Sequence, residues 1–349
     1  MALELSGNYV WDFWIARDEK TYHLYCLTAP RTPLHPHLRH PSARICHSTS
    51  ENLVDWTYHG IVIGPSDAPA WDDGVTWTGS VVKRPDGKWM MFYTGARKSE
   101  NCKLQRIGVA LSDDLHTWEK LAGNPVLEID PRYYETYDPA RWHDQAFRDP
   151  WVYECPQGKG WRMLFTARDP HGIAGGAGLI GQASSPDLLN WTAGEPLFRI
   201  GYYGEMEVPQ LFCLDGWWFI LFSNSSRHRE VGYMVNGKAG MVTGTHYIRS
   251  RSPSGPFELV EEEFFAGDDA GHLYGGRAVQ GPDGEIMLMA FLNHMADGSF
   301  VGKLTDPMPL WTTPEGFLRV DATKYGVNLR DGAGQPDAYL RPAAAAALA

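Results

Sequence analysis

The chain has 349 residues, with 31 Lys and Arg against 42 Asp and Glu, a formal net charge of −11 at pH 7 and a pI near 5.6. A surface of that sign repels phosphate-coated partners, which excludes nucleic acid. No apolar run approaches the roughly 20 residues that span a bilayer and the first residues carry no basic-then-apolar leader, so no membrane association and a cytoplasmic location are expected, or secretion if a leader has been trimmed away.

In chain order, "VWDFWIARDEKTYHLYCL" (10–27) reads as a β-hairpin, with one carboxylate, Asp12, set between Trp11 and Trp14 near the start of its first strand. The Pro-rich stretch after it carries His35, His37 and His40. They lack helix or hairpin spacing and read as solvated, so no metal is expected there. "STSENLVDWTYHGIVI" (48–63) then introduces a motif that returns as "ALSDDLHTWEKLAGNPVL" (110–127), "ASSPDLLNWTAGEPLF" (183–198) and, more weakly, "SRSPSGPFELVEEEFF" (250–265). Between these copies lie further hairpins with Gly-containing turns: "SVVKRPDGKWMMFYTG" (80–95), "WVYECPQGKGWRMLFTA" (151–167), "PQLFCLDGWWFILFSN" (209–224) and "AVQGPDGEIMLMAF" (278–291). Residues 223–245 are long for a hairpin connection and are expected to wall a pocket. The five cysteines are odd in number and have no CxxC pair, so neither a disulfide framework nor a cysteine metal site is expected. "RPAAAAALA" closes the chain, and 331–349 reads as a tail.

The anchor aromatics Trp56, Trp118, Trp191 and Phe257 lie 62, 73 and 66 residues apart, which is one four-stranded unit plus loops. Five such units with almost no helical periodicity predict an all-β fold: a single five-bladed β-propeller over 1–330, with a central axial pocket and no C-terminal β-sandwich. The first strand of each blade lines the axis. The polar residues near its start are Asp12, then "TWTGS" (76–80), "FRDPW" (147–151), "GEMEVPQ" (204–210) and "HLYGGR" (272–277). Asp12, Trp77, Asp149, Glu207 and Tyr274 are separated by 65, 72, 58 and 67 residues, in phase with the repeat, so three blades send carboxylates to one place.

Carboxylates crowded into one cavity push their pKa values apart, leaving one ionised as nucleophile or base and another protonated as acid. Glycosidic cleavage needs such a pair, and the rings of Trp11, Trp14 and Trp77 beside them suit the CH faces of an oligosaccharide. No cofactor is implied, and nothing in the composition specifies an oligomeric state.

The motifs "VWDFW", "TWTGS", "FRDP" and "EMEVP", in this order over about residues 8–320, resemble those of glycoside hydrolase clan J, families 32 and 68, the invertases, inulinases and levansucrases. The resemblance implies a retaining hydrolase or transglycosidase acting on β-fructofuranosides through a covalent aspartyl intermediate. Asp12 would then be the nucleophile, Asp149 the transition-state stabiliser and Glu207 the acid/base. Arg148 would help bind the furanose ring, with Ser80 and Tyr274 beside it. Glu205, two residues from Glu207, would raise its pKa or bind sugar. Val208 stands where family 68 has Arg. The inverting arabinofuranosidases and xylosidases of related five-bladed families, and a non-catalytic sugar-binding propeller, are the alternatives.

Overall fold

The computed structural model describes residues 3–32, 36–158, 160–225, 234–235, 238–239, 243–260, 265–268, 271–295 and 298–325. The tail and most of the 223–245 connection lie outside the described residues.

Among the described residues Met234–Val235 pairs with Lys238–Ala239 in a separate two-stranded sheet, and five antiparallel sheets of four or five strands follow one another along the chain. Their innermost strands are Asn8–Asp18, Val75–Lys83, Arg148–Glu154, Glu207–Leu214 and Leu273–Gln280. Each sheet is built outward in chain order, so each blade is one local piece of sequence; in the fifth, the third position is divided between Phe300–Leu304 and Met308–Thr312. The all-β five-bladed propeller expected from the repeats is the fold found. The outermost strand is seven residues in blade one, Thr57–Ile63, and only two or three in the others, which keeps exposed edges short.

The repeated motif is a turn with a defined mechanism. Ser112 Oγ accepts the backbone N–H groups of Asp114 and Leu115, and Asp114 Oδ1 accepts those of His116 and Thr117 at 2.8 Å each. Ser185 and Asp187 do the same in blade three, Ser50 and Asn52 much the same in blade one. The polar side chains satisfy backbone groups that the turn would leave orphaned. They hold Leu53, Leu115 and Leu188 at φ of 64, 63 and 69°, with all three side chains buried. In blade four Gly255 takes the positive φ instead, at 82°. Each anchor aromatic immediately precedes the outermost strand. Phe317 does so before Leu318–Val320 in blade five, a fifth anchor the sequence motif did not expose.

Apolar side chains fill the spaces between neighbouring blades. Trp14, Tyr25 and Met91 belong to a core shared by blades one, two and five, while Phe92, Phe147 and Phe165 join blades two and three. Closure of the ring uses Arg277 Nε, which donates to the Phe13 carbonyl at 3.3 Å, and Leu304 N, which donates to the Leu3 carbonyl at 3.0 Å.

Gly79 shows how tightly the inner strands approach: a Cβ there would lie 1.9 Å from the Phe92 carbonyl oxygen on the next strand. Gly79→Ala is therefore expected to cost about 3 kcal/mol or more, because backbone must move. Urea unfolding checks it; an unchanged midpoint would show that the strands can separate freely.

Candidate active site

Every innermost strand breaks register against its neighbour at the same place. The breaks fall between Trp11 and Phe13, Trp77 and Gly79, Arg148 and Trp151, Glu207 and Gln210, and Tyr274 and Arg277. A β-bulge bends the strand and re-aims the side chain beside it. Four of the five bulges contain a residue with left-handed backbone: Asp12 at φ 24°, Asp149 at 62°, Val208 at 48° and Gly275 at 63°. This corrects the phase read from spacing. Asp12, Thr78, Asp149, Val208 and Gly275 form one ring of equivalent positions, whereas Glu207 belongs with Trp11, Trp77, Arg148 and Tyr274, one residue earlier. Asp12 and Glu207 therefore come from adjacent rings.

Asp12 accepts a hydrogen bond from Thr78 Oγ1 at 2.9 Å. Burial, and then the Asp149 charge, push its pKa up to about 6. Asp149 is buried; its Oδ2 accepts from Thr166 Oγ1 at 2.8 Å and from the Val208 N–H at 3.1 Å, which joins blade three to blade four. Glu207 is held from both sides, by Arg148 Nη2 at 2.8 Å on Oε1 and by the Tyr274 hydroxyl on Oε2. Burial, followed by the Glu205 charge, nonetheless raises its pKa to about 7. Glu205 is itself buried and receives Arg148 Nη2 at 2.7 Å and Trp142 Nε1 at 3.2 Å. It thus acts on Glu207 through charge, one of the two roles expected for it. Burial opposes the charge on Arg148, but Glu205, Asp144, Glu207 and Asp149 around it hold its pKa well above the ordinary value.

Four expectations need correction. Trp11 and Trp14 are each 1% exposed and packed in the inter-blade core, where Trp14 stacks on Tyr25, so neither ring stands open beside the carboxylates. Ser80 is buried and accepts the Val152 N–H at 3.0 Å, which makes it a joint between blades two and three. The segment Pro36–Ser42 is a 3-10 turn packed over the mouth, with Trp77 Nε1 donating to the His40 carbonyl at 3.0 Å; it is not a free solvated loop, and His35 lies outside the described residues. Trp77 is half-buried beside the Pro36–Ser42 turn, and Tyr274 is buried with its hydroxyl on Glu207.

Two cations were missed. Arg39 is buried with its guanidinium 3.8 Å from the Phe300 ring centroid, and burial lowers its pKa to about 10 against the pull of Asp12. Arg277 donates to the carbonyls of Val208 and Pro209 at 3.0 and 2.9 Å; its pKa is likewise lowered to about 10 by burial, opposed by Asp149 and Asp12. The signal for Arg277 was the Gly-Gly-Arg after Tyr274, whose glycines form the bulge. Arg39 had none, since only the turn's packing brings it to Asp12. A cavity of about 200 Å³ is lined by Trp14, Tyr22, Trp151, Gln210 and Arg277 among others, and none of the carboxylates lines it.

His143, Asp144 and Glu205 offer ligand atoms within 4.8 Å of one another. Arg148 already lies 3.7 Å from Asp144 and 2.7 Å from Glu205, so a cation occupies the place a metal would take. What the arrangement supplies is a buried carboxylate, Asp149, and two half-buried carboxyls of raised pKa, Asp12 and Glu207, on different blades.

Among known proteins, the model of the glycosyl hydrolases family 32 N-terminal domain matches residues 15–305, beginning three residues after Asp12. A fructan 6-exohydrolase of Beta vulgaris is 30% identical over 196 residues, 55% of this chain and 29% of that protein. An insoluble-isoenzyme β-fructofuranosidase of Arabidopsis thaliana is 29% identical over 267 residues, 74% of this chain and 45% of that protein. The chain thus spans between about a quarter and a half of the length of these curated relatives. In fold, it is similar to the inulosucrase from Halalkalicoccus jeotgali bound to kestose (TM-score 0.74, 21% identity, 90% of this chain and 87% of that one). It is also similar to Bacillus subtilis levansucrase (TM-score 0.67, 16% identity, 91% and 87%).

A raised carboxyl pKa is a statement about stability. The folded state binds the Glu207 proton more tightly than the unfolded state, so the cost of ionising it grows from about pH 4.5 to about pH 7 and is full above that. Glu207→Gln keeps an acceptor for Arg148 and removes that cost. It is expected to stabilise the protein at pH 8 by on the order of 2–3 kcal/mol, with the gain fading below about pH 4.5. Thermal unfolding across that range checks the sign; a variant less stable at pH 8 than at pH 4.5, relative to the parent, would reverse it.

Proposed function

The chain belongs to the glycosyl hydrolases family 32 N-terminal domain family, and on that premise we propose that it is a retaining glycosidase or transglycosidase that cleaves β-fructofuranosides, sucrose-like oligosaccharides or fructans. The observation that carries the reading is that Asp12 and Glu207, with pKa values of about 6 and about 7, come from adjacent rings at the inner strands and both act on Arg39 and Tyr274. In the proposed cycle Glu207, protonated, gives its proton to the leaving glycosidic oxygen while the Asp12 carboxylate attacks the anomeric carbon. The C–O bond to the leaving sugar breaks, the bond to Asp12 forms, and Glu207 is left ionised between Arg148 and Tyr274. It then takes a proton from the incoming water or sugar hydroxyl, which displaces Asp12 and restores the starting state.

The environments suit the roles. The Thr78 hydrogen bond stabilises Asp12 as an anion, and Arg39 and Arg277 act on it in the same sense. Asp149, fixed by Thr166 and the Val208 N–H, is placed to accept sugar hydroxyls and to stabilise developing positive charge. Arg148 is saturated by acidic partners, so its contribution is to set the charge of Glu205 and Glu207 at least as much as to touch sugar. Direct attack requires the reacting carboxyl oxygens to stand about 5–5.5 Å apart across the bound sugar.

The test is a panel of sucrose, inulin, levan and an aryl arabinofuranoside, with the released monosaccharide identified and the pH profile recorded on the best substrate. Fructose release is expected. The kcat/KM profile should be bell-shaped and narrow, rising through about pH 6 as Asp12 ionises and falling through about pH 7 as Glu207 loses its proton. Glu207→Gln should abolish the alkaline limb along with most activity. Arabinose release in place of fructose would move the reading to the inverting furanosidases, and a profile flat from pH 5 to 8 would remove this pair from the chemistry.

A further inference from the structure

Away from the axis, four histidines that the proposed chemistry does not use meet where blade one faces blade two. His23 and His47 come from the second and third strands of blade one, His59 from its outermost strand, and His116 from the turn before the outermost strand of blade two. Their rings are in mutual contact. His23 stacks on His47 with centroids 5.2 Å apart, His59 stacks on it from elsewhere at 4.9 Å, and His116 stands edge-on to all three at 4.8–5.2 Å. His47, His59 and His116 each present a ring nitrogen within 4.8 Å of the others. We propose that these three side chains form a binding site for a late first-row divalent metal such as Zn²⁺, which clips blade two to blade one.

The hydrogen bonding around His47 supports this independently. His47 is wholly buried and its Nδ1 has no hydrogen-bond partner, while its Nε2 lies 3.1 Å from His23 Nδ1. If Nε2–H donates to His23, Nδ1 carries a bare lone pair; the opposite tautomer would bury an N–H donor with nothing to receive it, which is costly. The favoured arrangement is thus a neutral imidazole with one nitrogen oriented by an outer partner and the other free, as in metal-binding histidines.

The set also has the right mix of rigidity and freedom. His47 is locked in a strand between Tyr25 and His23, and the backbone at His116 is pinned by Asp114 Oδ1. The His59 and His116 side chains are exposed; His59 Nε2 lies 2.7 Å from Thr49 Oγ1, which leaves Nδ1 as its ligand atom with Thr49 as the outer partner. Tetrahedral Zn²⁺ at 2.0–2.1 Å holds its nitrogens about 3.4 Å apart, so the needed closure is about an ångström or a little more. Three imidazoles leave a fourth position for water.

The full chain, stripped with a chelator, is titrated with Zn²⁺ by calorimetry, with thermal unfolding followed in parallel. One ion per chain is expected, bound tighter than about 10 µM, with a rise in Tm. His59→Ala and His116→Ala, both exposed positions where folding is not at risk, should each weaken binding by about tenfold or more and abolish the Tm rise. His143→Ala, at the other histidine-containing acidic cluster, should change neither. Binding weaker than about 10 µM, or binding kept at parental strength in His59→Ala and His116→Ala, would overturn the proposal.

Discussion

A carboxylate can face the axis of this ring only because the strand that carries it breaks register at that point. Asp12 and Asp149 occupy left-handed backbone at bulges, and Glu207 immediately precedes another, at Val208. Non-glycine residues in such conformations cost on the order of 1–3 kcal/mol each. The offset is visible in the hydrogen bonds around them. The Asp149 N–H donates to Thr94 Oγ1 of blade two, the Val208 N–H to Asp149 of blade three, and the Gly275 N–H to Ser223 Oγ of blade four. These three bulges are therefore stabilised by the preceding blade, and Asp12 is tied to the following one through Thr78, so the geometry at the axis depends on neighbouring blades being in place.

The same feature governs the charges. Four acidic groups, Asp144, Asp149, Glu205 and Glu207, lie around Arg148, while Asp12 answers to Thr78, Arg39 and Arg277. Burial first, and then the charge of Glu205 on the same guanidinium, keep the proton affinity of Glu207 high although it touches Arg148. Loss of Glu205 alone would leave Arg148 to Glu207 and lower the proton affinity of the proposed acid. A buried acid that appears redundant in sequence thus adds to burial in keeping its neighbour protonated.

Much of this was legible in the amino-acid sequence because a propeller repeats its local physics. The Ser-x-Asp-Leu turns use side chain to backbone bonds that need those residue types, so the motif returns wherever the turn does. Alternating apolar hairpins with Gly-containing turns marked the blades, and Asp12, Asp149 and Glu207 stood out as charges in otherwise apolar strands. What was not legible depends on contacts between distant segments. Whether Trp11 and Trp14 face a ligand or a neighbouring blade is decided by a single bulge, which reverses the side-chain alternation on which strand reading relies. Ser80 looked like a site residue because its motif did, yet its hydroxyl is used by Val152. Arg39 reaches the mouth from a turn with no periodicity to read.

The central claim is that Asp12 attacks carbon. Reaction with a slowly turned-over fructoside, acid quench, digestion and mass spectrometry of the peptide containing Asp12 measures this most directly. The account predicts a fructosyl adduct on Asp12, absent in Asp12→Ala, and a first-formed product of retained configuration by proton NMR. An inverted first product with no adduct on any peptide would contradict it.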